Sequence, residues 1–97
     1  MALSAEDVKL FLGYEQDEND PGVIRNIDLL LAASDKFVKG AVGEAYPEDD
    51  ERMSLIRLQY IGEMYENREL SAKTENRLRD MARAAMRQVR LEMRDGA

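Results

Sequence analysis

The chain has 97 residues, 44% of them hydrophobic and 35% charged, which is enough apolar content for one small folded domain and too much for a disordered segment. With no His and no Cys it lacks the commonest general base, the commonest metal ligand, a thiolate nucleophile and any disulfide, so the composition predicts a structural or binding protein with no catalytic residue, cofactor or metal. The formal charge of -6 is unevenly spread: residues 1–70 hold 7 basic against 16 acidic side chains, and residues 71–97 hold 7 against 4. An acidic body ending in a basic segment repels DNA over most of its surface, yet suits contact between one copy's tail and another copy's body.

The start, "MALSAEDVKL", has neither the basic opening nor the apolar stretch of a signal peptide, and no run approaches the length of a bilayer span. The expectation is a soluble intracellular chain with no membrane partner. "LSAEDVKLFLG" predicts a short first helix, with Ser4 as cap, Glu6 and Asp7 in the first turn and Gly13 as the stop. Val8, Phe11 and Leu12 form its expected buried face. "YEQDENDPG" reads as a loop. Its carboxylates Glu15, Asp17, Glu18 and Asp20 do not have the central Gly and distal Glu of a calcium-binding EF-hand loop, so a solvated acidic loop is expected.

From Val23 to Ala41 the residues Val23, Ile27, Leu30, Leu31, Ser34, Phe37, Val38 and Ala41 fall on one stripe at about 100° per residue, predicting a long amphipathic helix. Gly43 and Pro47 break it, and Asp49 or Asp50 can cap the next. The third helix, Glu51 to Tyr65, is apolar on two faces, Met53, Ile56, Tyr60 and Met64 on one and Leu58, Ile61 and Tyr65 on the other, as expected of the central helix of a bundle. Methionines at this spacing read as gap-filling core rather than an open groove.

The final helix starts near Ser71 or Thr74 and runs to Arg94. Arg79, Arg83, Arg87, Arg90 and Arg94 step by three or four residues and draw one cationic stripe, beside an apolar edge of Leu78, Ala82, Ala85, Val89 and Met93. Three readings stay open: a solvated face with local pairs such as Asp80 with Arg83 or Arg87 with Glu92, a phosphate-binding track, or a protein interface where the guanidinium forks meet carboxylates. The whole predicts an all-α fold: a single-domain bundle of about four helices over residues 1–97, with a short N-terminal and a long C-terminal helix.

Between the third and fourth helices stands "MYENREL". With the opening "LSAEDVKLFL", the acidic loop and "DPGVIRNIDLLLAASDKFVKG", it resembles the small head-tail connector, or adaptor, proteins of long-tailed bacteriophages, over about residues 4–70. In that family a short helix and acidic loop lead into an I-x-x-L-I-x-A-A helix, and the third helix closes on a Tyr-Glu-Asn-Arg-like segment; here "IDLLLAA" and "MYENRE" occupy those places, while the arginine-rich last helix is less typical. The resemblance implies a head-completion protein, active in DNA packaging and virion assembly. Such proteins form an oligomeric ring, commonly of twelve copies, at the virion head-tail junction below the portal, assembled in the host cytoplasm. It implies as partners further copies of the chain, the portal protein and tail-completion proteins, with DNA passing through without sequence recognition. Tyr65, Glu66, Arg68 and Glu69, with the five arginines of the stripe, are then the candidate subunit or portal interface. Two alternatives are a nucleic-acid-binding bundle using the last helix and a small acidic regulator of a host protein.

Overall fold

The computed structural model describes residues 2–95; residues 1, 96 and 97 of the expected domain lie outside them. Four helices follow in chain order: α1, Ala5–Phe11; α2, Pro21–Val42; α3, Glu51–Asn67; and α4, Ala72–Asp95. No strand occurs among the described residues, so the fold is a small all-α bundle.

Each helix begins where a side chain can satisfy its free N–H groups. The Ser4 hydroxyl accepts from the Asp7 N–H while the Asp7 carboxylate accepts from the Ser4 N–H, a reciprocal capping box. Asp20 caps α2 by accepting from Gly22 and Val23, with Pro21 at the first helical position. Asp50, one of the two expected candidates, caps α3, and the Ser71 hydroxyl accepts from the Thr74 N–H at the start of α4. α2 ends at Gly43, whose φ of 111° is open to glycine but strained for other residues.

α2 and α3 form the central antiparallel pair, and both touch α1 and α4. The apolar stripe of α2 is buried at Ile27, Leu30, Ser34 and Val38, and α3 buries Met53, Ile56 and Ile61. The core has two parts. Near the α2–α3 turn, Val38, Tyr46, Met53 and Ile56 pack on Ala82 and Ala85, whose small side chains let α4 approach closely. At the other end Val8 closes α1 over Ile27, Leu30 and Ile61.

Three expected core positions are corrected. Phe11 is 50% exposed, because a seven-residue helix lying across its neighbours points only Val8 fully inward. Its ring lies along α3 at Gly62, 3.4 Å from where a Cβ would stand. Tyr65 is 38% exposed rather than finishing a buried stripe, since α3 has there run past the apolar stripes of its neighbours. Met93 is 70% exposed, because α4 extends beyond the end of the bundle, so the apolar edge is buried only at Leu78, Ala82, Ala85 and Val89.

Candidate subunit interface

The corner between α3 and α4 is built around an unusual backbone position. Arg68 caps α3 in the left-handed conformation at φ 59°, its N–H donating to the Met64 carbonyl at 2.9 Å. Helices commonly place glycine here, because a Cβ in this conformation costs about 1–2 kcal/mol. Arg68, Tyr65 and Met64 face Asn26 and Leu30 of α2 across an open cleft of about 730 Å³. The Tyr65 hydroxyl is 2.8 Å from that of Tyr14, with the rings edge to face, so the corner is tied to the first residues of the acidic loop. That shared hydrogen bond, with slight burial, pushes the Tyr14 phenol above its ordinary pKa. Glu66 and Glu69 are exposed on the same corner.

The arginine stripe divides along its length. Arg79 is engaged inside its own chain: it pairs with Glu75 at 2.6 Å and its guanidinium lies 5.8 Å from the Phe37 ring centre. Arg83 donates from Nε to the Ala41 carbonyl near the end of α2. Arg83, Arg87 and Arg90 surround a recess of about 340 Å³ floored by Ala41, Val42 and Met86, and Arg94 is exposed beyond it. Arg87 and Arg90 form no ion pair among the described residues. Glu92, expected to pair with Arg87, reaches α3 instead, where both its oxygens accept from Arg52 at 2.8 and 3.1 Å. Arg52 is simultaneously held by Asp50 at 2.7 Å, so one guanidinium joins the α3 cap to α4. Its hydrogen bonds hold the Asp50 and Glu92 carboxyls below their ordinary pKa values. The expected pair of Asp80 with Arg83 is likewise replaced, Arg83 being drawn to the α2 terminus.

The acidic loop stands at the other end. α2 spans 22 residues, about 33 Å at 1.5 Å per residue, with the loop before its first turn and the arginine recess beside its last. Within the loop, Glu18 accepts from the Asp20 N–H while Glu15 and Asp17 are exposed. Among the described residues no group of three or more His, Cys, Asp or Glu side chains gathers to hold a metal ion. No helix described is long and apolar enough to cross a membrane.

Family models, curated proteins and solved structures yield no match to this chain.

Two features that hold these surfaces in place escaped the sequence reading. Arg57 is only 5% exposed and crosses the α2–α3 interface, donating from Nε to the Ser34 hydroxyl and from Nη2 to the Leu31 carbonyl, each at 3.0 Å. The Ser34 hydroxyl itself donates to the same carbonyl at 2.8 Å. Tyr46, from the turn before α3, is buried and donates to Asp35 at 2.5 Å. Burial and that hydrogen bond raise the Tyr46 pKa; burial alone would raise Asp35, but Tyr46 and Lys39 together bring it below its ordinary value. The available signal was Ser34, a polar residue inside an otherwise apolar stripe, which requires a buried partner.

Proposed function

We propose that this chain is a structural virion protein of the bacteriophage head-tail connector kind, assembling as a ring below the portal at the head-tail junction, with DNA passing through and the tail attaching beneath. One observation carries the reading: the arginine recess of Arg83, Arg87 and Arg90 and the acidic loop of Glu15, Asp17, Glu18 and Asp20 lie at opposite ends of α2. Two unlike, complementary patches at opposite ends make a heterologous contact, which propagates from copy to copy and closes into a ring when the rotation permits. A symmetric dimer has no need of that arrangement. The resemblance of residues 4–70 to the connector family supports the same reading, and the acidic body is suited to a channel through which DNA slides rather than sticks. Arg68 adds support, because an arginine held where glycine is easier is consistent with a side chain needed for contact.

The test uses Arg83→Glu together with Arg87→Glu. Both side chains are exposed and the one bond lost is that of Arg83 to the Ala41 carbonyl, so helicity should be kept and melting should fall only slightly, while ring formation with the portal protein, seen by electron microscopy, is lost. The principal rival is a DNA-binding bundle. If the wild type binds duplex DNA tightly, with a steep loss of affinity on adding salt, and the double variant loses that binding yet still assembles, the arginines serve nucleic acid and the connector role assigned to them is wrong.

A further inference from the structure

One surface that the assembly reading leaves unused is apolar. Leu10 and Phe11 on α1, Leu55 on α3 and Leu91 on α4 are each half or more exposed, and they are not scattered. Leu55 lines two adjoining depressions: one of about 740 Å³ against α1, shared with Leu10 and Phe11, and one of about 540 Å³ against α4, shared with Ala84 and Leu91. A contiguous face of this kind marks an interaction site more often than scattered apolar residues do.

The two sides of the face differ in shape and charge. On the α1 side, Leu10 and the outer half of the Phe11 ring, whose tip rests on Gly62 of α3, are exposed beside Asp7, and the acidic loop follows directly in the chain. On the α4 side Ala84, Ala85 and Leu91 line the depression, together with Arg87. Arg87 also lines the arginine recess, so the apolar depression and the basic patch are one continuous surface.

We propose that the occupant of the α3–α4 groove is a second copy of this chain, which seats Leu10 of its α1, flanked by the exposed face of Phe11, between Leu55, Ala84 and Leu91 while its acidic side meets Arg87. The apolar contact supplies the binding free energy, since exposed ion pairs alone contribute about 0–1 kcal/mol each, and the charges set which edge enters which groove. This rests on the assembly reading above and names the surfaces that meet.

Two variants block the two halves separately: Leu10→Arg on the projecting edge and Leu91→Arg in the groove. Both sites are exposed in the monomer, so each variant should keep the wild-type helical circular dichroism spectrum. Light scattering over a concentration series should show the wild type self-associating and each variant weakened by about tenfold or more, the equivalent of 1.4 kcal/mol. Mixed in equal amounts, the variants should pair one to one, because the intact edge of Leu91→Arg still fits the intact groove of Leu10→Arg. A wild type that stays monomeric at its highest soluble concentration assigns the face to a different protein and overturns the proposal, as does a mixture that fails to pair or a variant that associates as well as the wild type. If the mixture pairs but the wild type stops at a two-fold dimer, the docking stands and the ring reading falls. If rings form and both variants still enter them, the ring stands and this docking is wrong.

Discussion

Replacing Ser34 by Ala tests the buried polar link between α2 and α3. Ser34 is fully buried, and its hydroxyl is the acceptor for Nε of the nearly buried Arg57. Ser34→Ala removes that acceptor while leaving the charged donor inside the bundle; an unsatisfied buried group costs about 1–3 kcal/mol, with charged groups at the upper end, so a loss of about 2–3 kcal/mol is expected. Arg57→Met removes the charge and its need for partners together. Ser34 keeps its bond to the Leu31 carbonyl, and the expected loss is smaller, about 1 kcal/mol. The double variant should then cost less than the two single losses added, because the orphaned guanidinium is gone. Urea unfolding at low protein concentration measures all three, and in a chain of this length about 2 kcal/mol corresponds to a fall of roughly 8–16 °C in Tm. If Ser34→Ala lies within about 0.5 kcal/mol of wild type, or if the two losses simply add, the link does not have the energetic role assigned to it here.

Arg68→Gly should raise stability by about 1 kcal/mol by relieving the left-handed backbone, yet weaken assembly if the arginine contacts a neighbour; equal assembly by both forms would remove Arg68 from the interface. Gly40→Ala should stabilise α2 by about 0.5–1 kcal/mol in thermal melts, since Gly40 sits in the last turns of α2 with no positive φ and nothing within 4 Å of an added Cβ. Asp50→Ala should cost about 1–2 kcal/mol, through the lost α3 cap and the loss of one of the two carboxylates that hold Arg52. Asp35 and Asp50 both have pKa values below those of the unfolded chain, so their contribution is complete above the ordinary carboxylate range and is lost as pH falls through their lowered values. Melting temperature should therefore drop progressively below about pH 4, and Asp50→Asn should make that drop shallower.

The helices themselves were legible in the sequence because their signals are local. Capping by Ser4 and Asp50 and the apolar spacing from Val23 to Ala41 act within a few turns, so α1, α2 and α3 fall where those patterns place them. The arginine stripe was equally legible as spacing, and three of its members do surround one recess. What each arginine touches was not legible. Glu92 lies five residues from Arg87 in the chain and bonds instead to Arg52, forty residues away, because the antiparallel packing of α4 on α3 brings that guanidinium into reach. The same holds for Phe11, Tyr65 and Met93, whose apolar spacing promised burial. A helix pattern states which residues share a face, but only the lengths and crossing of the neighbouring helices decide how far along that face the cover extends. Arg57 shows the converse case: one charge among apolar neighbours reads as a surface residue until α2 brings Ser34 and the Leu31 carbonyl within 3.0 Å of it. Local propensity and periodicity thus set the secondary structure of this chain. Burial, ion pairing and the apolar face around Leu55 are properties of distances between helices, and those distances exist only once the bundle has packed.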